Sequence, residues 1–263
     1  MRPLRVLAAV ASSTVTAWVV GCAAIAGVEP IDYRAVSEGG PAAEGGVDGD
    51  LRDTGGDVAS EAGPPSACLE KAATAAFCED FDPPAPVVPF TLEATGASLA
   101  RVELGAGFSK PGGLRLRVAA TGETAIAATP LLTGPKSLTS VTLSFAVKAS
   151  SSNHVLATMV FPLSASECRF ILRSQVFEGI EDGSVKGSFP IPASPDRFAR
   201  YTIVFVDGGG ETEVELRRDG VTLVPKTLVN CDTATNARVE LGIRNAPITY
   251  DDVFDDVVVE IVR

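Results

Sequence analysis

The chain has 263 residues, 46% hydrophobic and 21% charged, with 22 basic residues against 33 acidic ones for a net charge of −11. That length is enough for one domain with a sizeable core and some chain to spare. A surface of this sign repels phosphate backbones and anionic bilayer surfaces, so nucleic acid is excluded as an expected partner.

Residues 1–21 read as a secretory signal. Arg2 and Arg5 form a short basic start, Leu4 to Val20 form an apolar run, and the run closes at Val19-Val20-Gly21-Cys22. A basic region, an apolar region and a small residue before a cut make an export signal. The closing four residues resemble the bacterial lipobox, which implies acylation of Cys22 and cleavage just before it. Cleavage removes two arginines and no acids, taking the net charge from −11 to −13. The expected membrane contact is therefore the lipid on Cys22, since two or three acyl chains hold a protein stably where one does not. Ala23 is not the Asp that marks inner-membrane retention in some bacteria, so the expected location is extracytoplasmic, on the outer membrane.

Residues 22–67 change character. From Glu29 to Pro65 there are nine acids, two arginines, eight glycines and four prolines, with hydrophobic residues scattered singly. Such a stretch cannot bury enough surface to offset its ordering entropy, and it is expected to be a disordered stalk.

Residues 68–263 are expected to form one domain dominated by period-two alternation. Only Ala67 to Ala76 has a helical pattern. Strand-like runs follow at 98–104, Leu114 to Val118, Val141 to Val147, 154–161, 168–177, Tyr201 to Phe205, Val214 to Leu216, 237–244 and 255–262. Lys110-Pro111-Gly112-Gly113, Gly134-Pro135, Asp182-Gly183, Asp207 to Gly210 and Asp219-Gly220 supply turn chemistry between them. Many strands at this spacing with almost no helix predict an all-β, two-sheet antiparallel β-sandwich.

The chain has five cysteines. With Cys22 lipidated, Cys68, Cys78, Cys168 and Cys231 remain as an even set in an oxidising compartment, where disulfides persist. Three pairings are possible; Cys68–Cys78 with Cys168–Cys231 is favoured because the first pair is close in the chain. No CxxC motif points these thiols to a metal.

Three segments resemble concanavalin A-like lectin/glucanase domains, laminin-G-like modules among them. They are Phe77-Cys78-Glu79-Asp80-Phe81-Asp82, the run from Ile248 to Val259, and the hairpin from Phe198 to Val224. The resemblance spans most of 77–263 and implies a jelly roll with one convex and one concave sheet. Function still has to be argued from a site.

Glucanases of that superfamily carry a nucleophile and an acid/base on one strand, which turns attention to Glu211, Glu213 and Glu215. Alternate strand residues share a face about 7 Å apart in Cα, so two of these acids could flank a glycosidic bond. This chain has Glu where the family's middle Asp stands, and the same spacing describes a solvated strand face opposite Val214 and Leu216.

Carbohydrate binding on the concave sheet is implied too, yet sugar platforms are usually Trp or Tyr. Trp18 leaves with the signal, Tyr33 is in the stalk, and only Tyr201 and Tyr250 remain in the domain. The family also holds calcium away from its cleft. Two acid clusters offer hard ligands for it: Glu79, Asp80 and Asp82 near the domain start, and Asp251, Asp252, Asp255 and Asp256 near its end. Asp80, Asp82, Asp255 and Asp256 are the expected ligands if the first and last strands lie side by side. His154, with no nucleophile pattern near it, is expected to be structural. There is no Gly-x-Ser-x-Gly elbow, and Gly208 to Gly210 lack the lysine of a phosphate loop. The resulting expectation is a non-catalytic binding or cell-envelope module with carbohydrate as its ligand class. The alternatives are a glucanase-type glycoside hydrolase and a purely structural surface lipoprotein.

Overall fold

The computed structural model describes residues 66–263 except 72, 83–89, 110–111, 151–152, 164–165 and 232–234. The signal, Cys22 and the expected stalk lie outside the described residues. Everything below belongs to the second of two compact units, Val58–Arg263.

One short helix, α1 (Ala67–Lys71), precedes β1 (Ala75–Glu79), β2 (Thr91–Ala94), β3 (Leu99–Leu104), β4 (Gly112–Val118) and β5 (Ala125–Ala128). Next come β6 (Ser140–Lys148), β7 (Val155–Pro162), β8 (Glu167–Arg173), β9 (Val176–Glu181) and β10 (Ser184–Pro190). The chain closes with β11 (Ala199–Asp207), β12 (Thr212–Arg218), β13 (Val221–Val229), β14 (Arg238–Ile243) and β15 (Tyr250–Val262). Sheet A runs β13-β12-β11-β6-β15-β4-β3, with β1 also paired to β15; sheet B runs β10-β9-β8-β7-β14-β5-β2. Every pairing is antiparallel, and the two sheets make a sandwich of the jelly-roll type.

Alternation decides which side chains enter the space between the sheets. Val141, Leu143, Phe145 and Val147 on β6 point inward beside Tyr201, Ile203 and Phe205 on β11. Sheet B answers with Met159, Phe161, Phe170, Leu172 and Phe177. Each such side chain contributes roughly 1.5–3 kcal/mol on full burial. Aromatic packing joins the layers, with Phe161 edge-on to Phe205 at 5.5 Å and Phe170 5.0 Å from Phe205.

The turns at Asp182-Gly183 and Asp219-Gly220 have both central residues at positive φ, the backbone that tight hairpins need. Both favoured disulfides are formed, with Cα separations of 5.5 Å for Cys68–Cys78 and 5.7 Å for Cys168–Cys231. Two local expectations are corrected. The helical pattern over Ala67 to Ala76 stops at Lys71, and Ala75 onward pairs as a strand with the end of β15. The run 168–177 breaks into β8 and β9 around Ser174 and Gln175, because its two halves pair with each other.

Candidate functional site

The first and last strands are neighbours, with Cys78 opposite Val258 and Glu79 opposite Val257. This sets Glu79 and Asp82 within electrostatic reach of Asp255 and Asp256, while Asp251 and Asp252 pair elsewhere, with Arg115 and His154. A β-bulge in β15 lies between Asp255 and Val258, and Asp256 within it has φ 51°. A bulge places an extra residue against the partner strand. Asp255 and Asp256 accordingly both reach Ser109: Asp255 Oδ2 accepts from its N–H (2.8 Å) and its hydroxyl (3.0 Å), and Asp256 Oδ1 is 3.2 Å from that hydroxyl. Arg200 on β11 donates to Asp256 Oδ2 at 2.5 Å.

Around β1, Glu79 Oε1 accepts from Phe81 N–H (2.8 Å), Asp82 Oδ1 from Gly112 N–H (2.7 Å), and Asp80 Oδ2 from the Ser66 hydroxyl (3.0 Å). Glu79 is 4% exposed, and its Oε2 is buried with no hydrogen-bond partner among the described residues. Burial, reinforced by the charges of Asp80, Asp82 and Asp255, pushes the Glu79 carboxyl up to about 7. Burial, reinforced by Asp256, lifts Asp255 to about 6. Asp82 is raised as well, chiefly by burial.

These residues fit a hard cation in one respect: the orphaned Glu79 oxygen sits among carboxylates that repel one another. Among the described residues, no three acid side chains converge as a ligand set.

The acid triplet sits elsewhere. Glu211 is in the exposed β11–β12 turn, while Glu213 and Glu215 face outward from β12. Glu213 pairs with Lys226 (3.2 Å) and Glu215 with Arg217 (2.8 Å). Thr142 and Val204 lie beside Glu215 in the register, so the strand face carries neutralised charge with no aromatic wall.

Sheet B's outer face is recessed: Ile126, Thr158, Val160 and Glu240 all point outward yet are buried. Its charges are paired, Arg173 with Glu178 and both Arg238 and Arg244 with Glu240. Glu178 and Glu240 occupy one row three strands apart, about 14 Å at ordinary strand spacing. Two glycosidase carboxylates lie about 5–9.5 Å apart.

His154 is enclosed at one end of the sandwich. Its Nε2 lies 2.5 Å from Asp252 Oδ2, and its ring stacks on Tyr250 at 4.5 Å. Asp252 belongs to the acid cluster near the domain end, outside the four expected ligands; the fold turns it inward, one strand repeat from Tyr250. Nothing in the local sequence signals a partnership between residues 98 apart.

No protein-family model and no curated sequence matches the chain. Solved structures do. The apo Crh5 transglycosylase aligns with TM-score 0.46 and 14% identity, over 71% of this chain and 84% of that one. A Bacillus subtilis protein of unknown function with a galectin-like fold gives 0.42 and 9%, over 66% and 90%. A botulinum neurotoxin type C structure, described by its interaction with two ganglioside molecules, gives 0.47 and 10%, over 73% of this chain and about half (49%) of that one. At these scores the likeness concerns fold alone. The class is a disulfide-bonded, two-sheet antiparallel β-sandwich.

Proposed function

We propose that this chain is a lipid-anchored extracytoplasmic module that binds carbohydrate and does no chemistry on it. The observation supporting the non-catalytic half is the state of the outward carboxylates. Glu213, Glu215, Glu178 and Glu240 are each held by a lysine or arginine. A hydrolase needs one carboxylic acid kept protonated beside a second, ionised carboxylate. Cations at both positions oppose that division of roles.

The binding half draws on the fold class and on the reading of Cys22 as a lipid attachment point. Acylation there, followed by a flexible acidic stalk, would hold the sandwich away from an outer-membrane surface within reach of wall or extracellular polymers. Calcium at the junction of β1 and β15, drawing on Asp80, Asp82, Asp255 and Asp256, would be structural in this scheme. A printed glycan array probed with the detergent-extracted full chain tests the reading. Signal on defined saccharides is expected; silence across the array favours a purely structural lipoprotein.

A further inference from the structure

Two aromatic side chains stand apart from the core. Phe108, in the β3–β4 connection, and Phe198, just before β11, are half-buried and belong to neither hydrophobic cluster. They pack on each other at 5.6 Å, with rings tilted by 51°, and the Arg200 guanidinium lies 5.5 Å from the Phe108 ring centre. From this arrangement we infer a saccharide-binding subsite on the outer face of sheet A, formed by Phe108, Phe198 and Arg200 and taking a neutral pyranose ring. The inference rests on the carbohydrate reading above and locates its contact.

The backbone beside each ring is anchored. On one side of Phe108, Gly107 is pressed onto the sheet so closely that a Cβ there would lie 1.7 Å from the Gly112 carbonyl oxygen. On the other side, Ser109 is tied through its N–H and hydroxyl to Asp255. Phe198 leads directly into β11, where Ala199 is buried and Arg200 N–H donates to Asp219 Oδ1 at 2.8 Å. Aromatic side chains on an anchored backbone lose little freedom on binding, which is what a weak, single-ring contact requires.

The surroundings select the occupant. A pyranose presents C–H bonds to an aromatic face and hydroxyls around its rim. Arg200 spends one amino group on Asp256, and its other guanidinium nitrogens have no protein acceptor among the described residues. Asp219 is exposed beside Arg200, its Oδ1 accepting from the Arg200 N–H and its Oδ2 3.7 Å from the Arg197 guanidinium, with lone pairs left for a hydroxyl. Hydroxyls can accept from the arginine and donate to the aspartate. A purely apolar partner would desolvate the remaining Arg200 nitrogens without giving them hydrogen bonds. The net charge of −11 disfavours a polyanionic chain.

The test is retardation of the detergent-extracted full chain in native gels cast with soluble β-1,3-glucan, starch, xyloglucan, galactomannan or alginate. Retardation by at least one neutral polysaccharide is expected. It should weaken about tenfold in Phe108→Leu and in Phe198→Leu, substitutions that keep apolar bulk and remove the ring. Arg173→Gln, on the outer face of sheet B, should bind as the wild type does, and melting curves should show all variants folded. Retardation kept by both phenylalanine variants overturns the subsite while leaving the carbohydrate reading standing. Retardation by alginate alone overturns the neutral ligand class. A wild type retarded by nothing overturns the carbohydrate reading itself, and the subsite with it.

Discussion

His154 on the β7 side and Asp252 on β15 join the two sheets through a fully buried contact of 2.5 Å. Asp252 uses its other oxygen to accept from Ser150 N–H at 2.8 Å. Tyr250, two residues earlier on the same face, donates from its hydroxyl to the Ala125 carbonyl on sheet B (2.9 Å). One end of the sandwich is thus closed by polar contacts between layers, where the rest is closed by hydrocarbon. Replacing His154 with Leu should leave a buried carboxylate without its partner and lower unfolding free energy by about 3–5 kcal/mol. Denaturant titration measures this. A loss below about 1 kcal/mol, the range of an exposed pair, would contradict the clamp.

The acid junction makes stability depend on pH. Glu79 rises from 4.5 to about 7 and Asp255 from 3.8 to about 6 on folding. Both are raised, so the folded chain holds these protons more tightly than the unfolded one. The stabilisation is complete below about pH 4 and is lost as pH climbs through 6 to 7. Each shift corresponds to about 3 kcal/mol, and the two together give less than the sum because their charges interact. In chelator, the denaturation midpoint should fall between pH 5 and pH 8, and Glu79→Gln should flatten that fall. A wild-type midpoint that instead rises over this range would contradict the assignment.

How much of this was legible in the sequence depends on where the deciding force lies. Strands such as Val141 to Val147 show their inward face by alternation, because one side meets hydrocarbon and the other water. The Asp-Gly pairs marked their turns because that dipeptide tolerates positive φ. β5, read as Ala-Ile-Ala-Ala, is buried on both faces and so has no alternation to detect. β10 is largely exposed and equally patternless. At Ala75 to Glu79, local helical preference yields to pairing with the last strand, a contact about 180 residues away in sequence. The acid clusters were visible as composition. The bulge that turns Asp255 and Asp256 onto Ser109 was not, nor was the pairing of Phe108 with Phe198, since both depend on a loop folding back over the sheet.

If a calcium ion neutralises the junction, the effect belongs at high pH, where the carboxylates are ionised. At pH 8, chelator should lower the melting temperature and excess calcium restore it; near pH 5 the response should shrink. Asp255→Asn should abolish the difference. A melting curve at pH 8 unmoved by either treatment would leave protons, Ser109 and Arg200 as the groups that settle these acids.

Lipid attachment is tested by labelling. Radiolabelled palmitate should enter the wild-type chain and be absent from Cys22→Ser, which should also leave the membrane fraction. Equal incorporation into both would remove the anchor and the location argued from it.

The central claim is binding without turnover, and one experiment addresses both parts. The full chain is mixed with an insoluble neutral polysaccharide and sedimented, and the supernatant is assayed over hours for new reducing ends. The chain should be found in the pellet, with reducing ends no higher than in a protein-free control. Reducing ends that accumulate with time and disappear in Glu213→Gln or Glu215→Gln would contradict it and make the chain a hydrolase.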